Sequence, residues 1–593
     1  MRTRKARSER ARGILRALFC RQRINSACAA AARSLEESWG LGSSHAALPC
    51  VEPLEDRTHL TTFIGDIIGS PTFSSSYSVT LKCTGGEIST VKVHWGDGST
   101  NTYSGPGPLT ESHNYGSTHP SNPITADFFA TNGQCCTTAL GLDSNFNNDN
   151  GYSATSSLGG GKAMTVDNAS GSSFNGYIYV ASTDGSQIGI TRFFGSNAPS
   201  GDTPGTVDSS FGTSGTFLLT SLDPGHGTDV PTSIAVGAGG DRNTYIGVCG
   251  YNTQNGWGVA VIEADGSNPG GASVFQNNGT TLGNGLNTAF SQANSITVDG
   301  TDVSTGDQAG VVIVAGTVQG TSLSCMAIIQ LDMITGGPYD SNFNSGNPVL
   351  ITSSHTNGCT FGTSIMEIFS SDCVVAVGRD LYTANGHTEQ DFTVVELNDN
   401  GSAASGFGTS GVVETNFGKN VSGATNNPSM DYASAVVEYN GYITAVGYSN
   451  AKGANQFANQ FAIAQYSEST GALNTGFNST GLLLGPTGTA TSAVVETVGT
   501  NSDLLVCGNV NSDVQLVRYT TNGAADTLFG TGTSHTIQSD FGTEGTSGTN
   551  STDVAYSIGL LSDGSIIVGG STTPSGGSAE ILLANYDCEN RPT

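Results

Sequence analysis

Seven polar residues recur at matching places along this 593-residue chain: Arg192, Glu263, Gln330, Glu396, Gln465, Arg518 and Asn585. Each interrupts an apolar run, as in GITRFF (189–194), AVIEA (260–264), AIIQL (327–331), TVVEL (393–397), AIAQY (462–466), QLVRY (515–519) and LLANY (582–586). Residues repeated in this way belong on one ring of a repetitive fold. There they could line one face or a central channel and bind a ligand, or they could be edge residues that pair with their neighbours. A second candidate is DSNFNNDNG (143–151), where Asp143, Asn145, Asn147 and Asp149 offer oxygens at alternating positions. Calcium takes such hard oxygen donors, although the ligand order and terminal Glu of an EF-hand are absent.

Other chemistry leaves no signature. Nine His residues, at 45, 59, 94, 113, 119, 226, 355, 387 and 535, form no HExxH or comparable metal spacing. No G-x-S-x-G, phosphate loop or dinucleotide fingerprint sits between a strand and a helix. Trp occurs only at 39, 95 and 257, too sparsely for an aromatic sugar platform. The expectation is a protein that is not an enzyme and has no cofactor, with Ca2+ the one ion its oxygens would suit.

The elements that must position these residues follow from composition and period. Gly is 82 of 593 residues and charged residues are 12%, against usual values of about 7% and about 25%. Gly, Ser, Thr and Asn are plentiful while Lys, Glu, Arg and Met are scarce, which suits short strands joined by many turns. Aligning on VDSSFGTSGTFLL (207–219) gives seven phenylalanines: Phe146, Phe211, Phe275, Phe343, Phe407, Phe477 and Phe529. Their spacings of 65, 64, 68, 64, 70 and 52 residues point to a repeat architecture.

Each unit reads as four strands. The first is of the SIAV type (233–236), as in SITV (295–298) and SIGLL (557–561). The second is apolar on both faces and ends in small residues, as in YIGVCG (245–250) and VVIVAG (311–316), the pattern of a strand buried on both sides. The third carries the polar residue, and the fourth follows the phenylalanine, as in GVVET (411–415). Seven four-stranded units predict an all-β fold, a seven-bladed β-propeller with four short strands per blade. A β-solenoid is the rival, but its repeats are usually shorter than about 50 residues. The phrase D-x-x-F-G reads as the blade-to-blade connector: its Asp caps a turn, its Phe plugs the gap between sheets, and its Gly supplies positive φ. Asp143, Asp208 and Asp340 keep the acid, the copies at Phe407, Phe477 and Phe529 replace or shift it, and the copy at Phe275 is degenerate.

At this point a family resemblance is carried by FTVVELNDNGSAASGFGTSGVVETNFG (392–418), VQLVRYTTNGAADTLFGTG (514–532) and SIIVGGS (565–571). These stretches resemble the bacterial delta-60 repeat over residues 141–593. The resemblance implies a propeller-like domain of large, often exported proteins and brings no catalytic mechanism. LEDRTHL (54–60) is similar to the LEPR-XLL motif of bacterial surface proteins, with Asp56 where the family has Pro and His59 where it has Leu. VKVHWGDGST (91–100) with SHNY (112–115) looks like a PKD domain, an Ig-like β-sandwich, with Gly96, Asp97, Gly98, His113 and Tyr115 at its motif positions. STDGSQIG (182–189) lacks the tryptophan and spacing of the Asp box of sialidase propellers. The expected organisation is a basic, export-related leader with the LEPR-XLL-like motif (1–60), a PKD-like β-sandwich (61–140) and the repeat propeller (141–593).

Charge and cysteine bound the partners. Residues 1–33 hold ten of the 21 basic residues and a single acid, so the remaining chain is strongly acidic. Such a body repels phosphate backbones, and nucleic acid is an unsuitable partner. No run of 18 apolar residues predicts a transmembrane helix. Twelve Cys include no CxxC pair; Cys249, Cys373 and Cys507 lie in apolar runs as core residues, and Cys83 could bridge to Cys135 or Cys136 in an oxidising compartment. The resulting expectation is a non-enzymatic exported or cell-surface repeat protein with a structural, adhesive or ligand-binding role and cell-envelope, glycan or protein partners. The alternatives are a polysaccharide hydrolase or lyase, whose carboxylates would be sought near His226 and Asp241 or near His387 and Asp391, and a calcium-stabilised extracellular scaffold.

Overall fold

The computed structural model describes strands within residues 64–130 and most of residues 141–587, apart from short stretches and the segments 222–227, 276–290, 301–309, 333–341, 422–428, 452–458 and 542–550. The leader and its motif, Cys135, Cys136 and the Gly96–Asp97–Gly98 turn lie outside the described residues. Strands Ile64–Ile68, Ser76–Thr84 and Leu109–Asn114 form one three-stranded antiparallel sheet, and Thr100–Ser104, Ile88–His94 and Thr125–Ala130 another. No helix among the described residues is long and apolar enough to cross a membrane.

From residue 141 onward the chain is a seven-bladed β-propeller, and in six of its units the four strands read from the sequence are the strands observed. Blade 4 is representative: Cys359–Ile368, Cys373–Ala384, His387–Asn398 and Val412–Thr415 pair antiparallel in chain order. The first strands begin at Gly161, Asp229, Gln292, Cys359, Asp431, Thr489 and Thr552, and each contacts the first strand of the next blade until the seventh meets the first. Blade 2 departs from the pattern. Its described sheet has three strands, and Val274–Phe275, the degenerate copy, instead pairs parallel with Thr220–Ser221 of blade 1.

The ring closes by strand exchange. Strand Tyr152–Thr155, from the start of the repeat region, pairs with Ile581–Ala584 of the last blade and completes its sheet. This explains an asymmetry in the sequence: Asn585 has no phenylalanine after it, and Phe146 has no polar strand residue before it. Each supplies what the other lacks. Closure leaves no blade with a missing outer strand at the seam, the exposed edge that would otherwise invite pairing with another chain.

Inter-blade bonding explains why Ser and Thr gather in the first strands. In all seven blades the first strand carries a bulge at or just before the S-I-x-x phrase or its equivalent, as between Pro231 and Ser233 or Ala293 and Ser295. A bulge leaves one residue unpaired, and its side chain turns to the next blade. Thr232 donates to the Ala293 carbonyl (2.7 Å), Asn294 to Gly362 (2.7 Å), Thr363 to Ala433 (2.6 Å) and Thr491 to Ala555 (2.9 Å). The serine that follows accepts from the neighbouring backbone, as Ser295 does from Ile365 N–H (3.1 Å) and Ser557 from Met164 N–H (3.1 Å).

The D-x-x-F-G phrase joins the third and fourth strands of one blade, so it is not the covalent blade-to-blade link. Its phenylalanine nevertheless reaches the next blade. Phe146, Phe211, Phe343, Phe407, Phe477 and Phe529 are all buried within their blade cores, where each is worth roughly 1.5–3 kcal/mol of burial. In five cases the ring lies against a positive-φ glycine in the turn of the following blade: Phe146 under Gly205, Phe211 under Gly266, Phe343 under Gly401, Phe407 under Gly471 and Phe477 under Gly523. Asp526 stands three residues before Phe529, so that copy keeps the acid in place and neither replaces nor shifts it. Cys249 and Cys507 are buried core thiols, pushed up to about 12 by burial, whereas Cys373 opens its strand and is only half-buried.

Candidate functional site

The seven matched polar residues lie in the third strands, away from the first-strand ring that surrounds the axis, and the structure does not bring them together. Five described connectors bond back to them identically. The residue three before the phenylalanine donates its N–H to the strand residue's carbonyl: Asp143 to Asn585, Asp208 to Arg192, Ala404 to Glu396, Asn474 to Gln465 and Asp526 to Arg518, at 2.8–3.1 Å. That bond sets the two side chains side by side. Arg192 pairs with Asp208 at 2.6 Å and reaches the Ala264 carbonyl of blade 2 at 2.7 Å. Arg518 pairs with Asp526 at 2.7 Å and Glu496 at 3.0 Å. Asn474 donates to Gln465 Oε1 at 2.7 Å, and Asn585 to Asp143 Oδ2 at 3.1 Å.

Glu396 is the exception. Its connector partner is Ala404, its Oε2 is buried with no hydrogen-bond partner among the described residues, and burial, then the nearby Glu468 charge, pushes it up to about 7. Glu263 follows the same rule in sequence, since Ala272 stands three residues before Phe275; it is half-buried. Gln330 is buried, and its connector residue Asp340 lies outside the described residues. Of the oxygen-rich stretch, Asp143 is bonded to Asn585 and the Asn147 amide donates to the Tyr152 carbonyl (2.9 Å), while Asn145 and Asp149 lie outside the described residues.

A denser polar cluster lies on blade 4. Its second and third strands run twelve residues each, the longest among the described strands. The added length ends at Ala384 and His387, which pair across Asn385–Gly386, with Gly386 at φ +78°. Asn-Gly is the favoured two-residue hairpin loop because the loop needs positive φ. Side chains alternate along a strand, so Val374, Ala376, Asp380 and Tyr382 share a face. Directly opposite them stand Leu397, Val395, Asp391 and Glu389. The lower part of this face is apolar and enters the core between blades 3 and 4. The prolonged part is polar. Glu414 joins it from the fourth strand, opposite Thr393.

Two linked groups make up the cluster. In the first, His355, from the loop before the first strand, stacks on Tyr382 with ring centroids 3.6 Å apart and lies 2.9 Å from Asp380 Oδ2 and 3.7 Å from Glu414 Oε2. Ser353 donates to Asp380 (2.6 Å) and Ser354 to Glu414 (2.9 Å). Burial raises the Glu414 pKa. In the second, the Tyr382 hydroxyl lies 2.9 Å from Glu389 and 2.8 Å from Asp391. The Asn416 amide donates to the same two carboxylates, at 3.1 Å and 2.6 Å, and Lys419 to Glu389 at 2.9 Å. Burial drives Asp391 up; in Glu389 burial also pushes up, but bonds from Lys419 and Tyr382 outweigh it and the pKa falls. The two neighbouring carboxyl groups are thus shifted in opposite directions.

Of the places marked for a carboxylate cluster, Asp391 belongs to it, His387 is exposed at the hairpin end, and His226 and Asp241 lie outside the described residues. His355, Asp380, Glu389 and Glu414 escaped the sequence reading. The signal was available in the Asn-Gly pair, which marks a hairpin long enough to carry polar residues at 380, 382, 389 and 391 beyond the core.

No family model matches the chain, and no curated protein sequence matches it. Two solved structures are similar to it at low scores. A subtype N10 neuraminidase-like protein of A/little yellow-shouldered bat/Guatemala/060/2010 is 9% identical, with a TM-score of 0.30 over 60% of this chain and 95% of that one. Sqt1 from Chaetomium thermophilum is 10% identical, with a TM-score of 0.29 over 59% of this chain and 70% of that one. Likeness at this level says nothing of what this chain does.

Proposed function

We propose that the protein is a non-catalytic exported or cell-surface repeat scaffold whose ligand-binding site is the polar face of blade 4. One observation carries this reading. Arg192, Gln465, Arg518 and Asn585 are engaged in pairing strand to connector, whereas blade 4 adds a longer hairpin that holds His355, Asp380, Glu389, Asp391 and Glu414 together. Half-exposed His355 offers an imidazole face backed by Tyr382, and Glu414 and Ser354 offer hydrogen-bonding groups beside it. Such a set suits the hydroxyls of a glycan. The delta-60, LEPR-XLL and PKD resemblances support the exported setting. The test is glycan-array binding by the full chain and by the His355→Ala/Glu414→Gln double variant. Signal lost in the variant is expected; equal signal from both, or none from the wild type, would remove blade 4 as the site.

A second reading, a polysaccharide hydrolase or lyase, is favoured by the opposed shifts of Asp391 and Glu389, since glycosyl chemistry needs one protonated and one ionised carboxyl group. Release of reducing ends or unsaturated products from a polysaccharide panel, abolished by Asp391→Asn, would establish it over the first.

A further inference from the structure

The rim between blades 6 and 7 keeps part of the second polar group of blade 4 and changes its charge balance. The pairing of third with fourth strand ends equivalently: Phe392 pairs with Thr415 in blade 4, and Val514 with Ser539 in blade 6. Asp513 therefore takes the place of Asp391, and Asp540 that of Asn416. Asp431 and Asp553 also correspond, each accepting a backbone N–H from a phenylalanine, Phe417 at 2.8 Å and Phe541 at 2.6 Å. At the blade 4–5 rim an amide stands between the carboxylates and donates to Asp391 and Glu389, and Lys419 adds a positive charge. At the blade 6–7 rim the amide is replaced by a third carboxylate. In sequence, N-F-G-K (416–419) becomes D-F-G-T (540–543), so the lysine is lost as well.

We propose that Asp513, Asp540 and Asp553 bind a hard divalent cation of the calcium type. One oxygen from each comes within 4.8 Å of the others. No Lys, Arg or His forms an ion pair with any of them among the described residues. Asp553 is 1% exposed, and its Oδ1 is buried with no hydrogen-bond partner among the described residues. Its Oδ2 accepts from Phe541 N–H, which leaves Oδ1 as the oxygen still requiring a positive partner. The hydroxyls nearby cannot supply one. Thr572 has one proton to share between Asp553, which it hydrogen-bonds, and the Phe541 carbonyl at 3.0 Å. Ser551 has one proton and three acceptors within reach: Asp540 at 2.8 Å, Asp553 Oδ2 at 3.0 Å and the Phe541 carbonyl. A buried carboxylate left in this state is costly, and a cation removes the cost while holding blade 7 to blade 6. Burial raises the Asp553 pKa. An all-oxygen donor set selects calcium-type ions over zinc or copper.

The experiment is equilibrium dialysis of the chelator-treated full chain against radioactive calcium at about 1 mM, the range in which extracellular calcium modules work. Wild type and Asp540→Asn, which restores the blade 4 arrangement, are compared, with near-ultraviolet circular dichroism to verify the fold. The variant is expected to bind one ion fewer per chain and to lose the calcium-dependent rise in Tm. Equal stoichiometry and equal Tm response in the two proteins would overturn the proposal, as would a wild type that binds no calcium. If Asp540→Asn misfolds, Asp513→Asn is read by the same two measurements.

Discussion

Arg192 and Asp208 are joined by a 2.6 Å ion pair inside blade 1, and the same two positions in blade 4 hold Glu396 and Ala404. The strand residue and the connector residue thus vary together. Arg, Gln or Asn in the strand meets Asp or Asn in the connector, while Glu meets Ala. The backbone bond that brings the positions together recurs in either case, so the side chains answer to each other's charge and not to the turn.

This relationship predicts unequal costs for the same truncation in two blades. The Arg192–Asp208 side chains are 4% and 6% exposed, against 15% and 13% for Arg518–Asp526. Asp208→Ala leaves a buried guanidinium without its carboxylate and is expected to cost about 3–5 kcal/mol. Arg518 would retain Glu496 and keep more contact with water, so Asp526→Ala is expected to cost about 1 kcal/mol. Urea unfolding of the two variants checks this; equal losses would mean that burial of the pair does not govern its contribution.

Glu396 carries the opposite prediction, in pH. Its folded pKa is raised from 4.5 to about 7, so the folded state binds the extra proton between those values. Stability is therefore fully present below pH 4.5 and declines as pH rises toward 7. Asp431, also raised to about 7, mainly by burial, acts in the same sense from 3.8 upward. Glu396→Gln removes one of the two contributions. The variant is expected to melt higher than wild type at pH 8 and close to it at pH 5. A melting difference that is the same at both values would show that Glu396 does not titrate in this window.

Period and strand pattern made the propeller legible, because every blade needs the same buried second strand and the same phenylalanine. What escaped the sequence was whatever depends on two copies at once. The exchange of Tyr152–Thr155 into the last blade is invisible within any single repeat, although Asn585 without a following phenylalanine hinted at it. The ring of seven polar residues was correctly aligned, but alignment cannot tell a side chain facing a channel from one facing Asp208. The blade 4 cluster escaped for another reason. Asp380, Glu389 and Glu414 are scattered along the chain and meet only because antiparallel register sets them on one face. His355 comes from the loop ahead of the blade 4 first strand, outside the repeated phrases.

The turn glycines allow the packing of the connector phenylalanine to be separated from backbone preference. Gly471 has φ +69°, and a Cβ there would stand 3.4 Å from the Phe407 ring, 2.5 Å from Val413 and 3.0 Å from the Gly408 nitrogen. Gly441 has φ +74°, and a Cβ there would meet nothing within 4 Å. Alanine at either position incurs the left-handed penalty of about 1–2 kcal/mol. At Gly471 it must also displace Val413 or the connector that carries Phe407, and overpacking of this kind adds about 1–3 kcal/mol. Gly471→Ala is therefore expected to lower stability clearly more than Gly441→Ala when the two are unfolded in urea under the same conditions. If the two variants match, the glycine is kept for its dihedral angle alone, and the contact between Phe407 and the blade 5 turn contributes little to holding adjacent blades together.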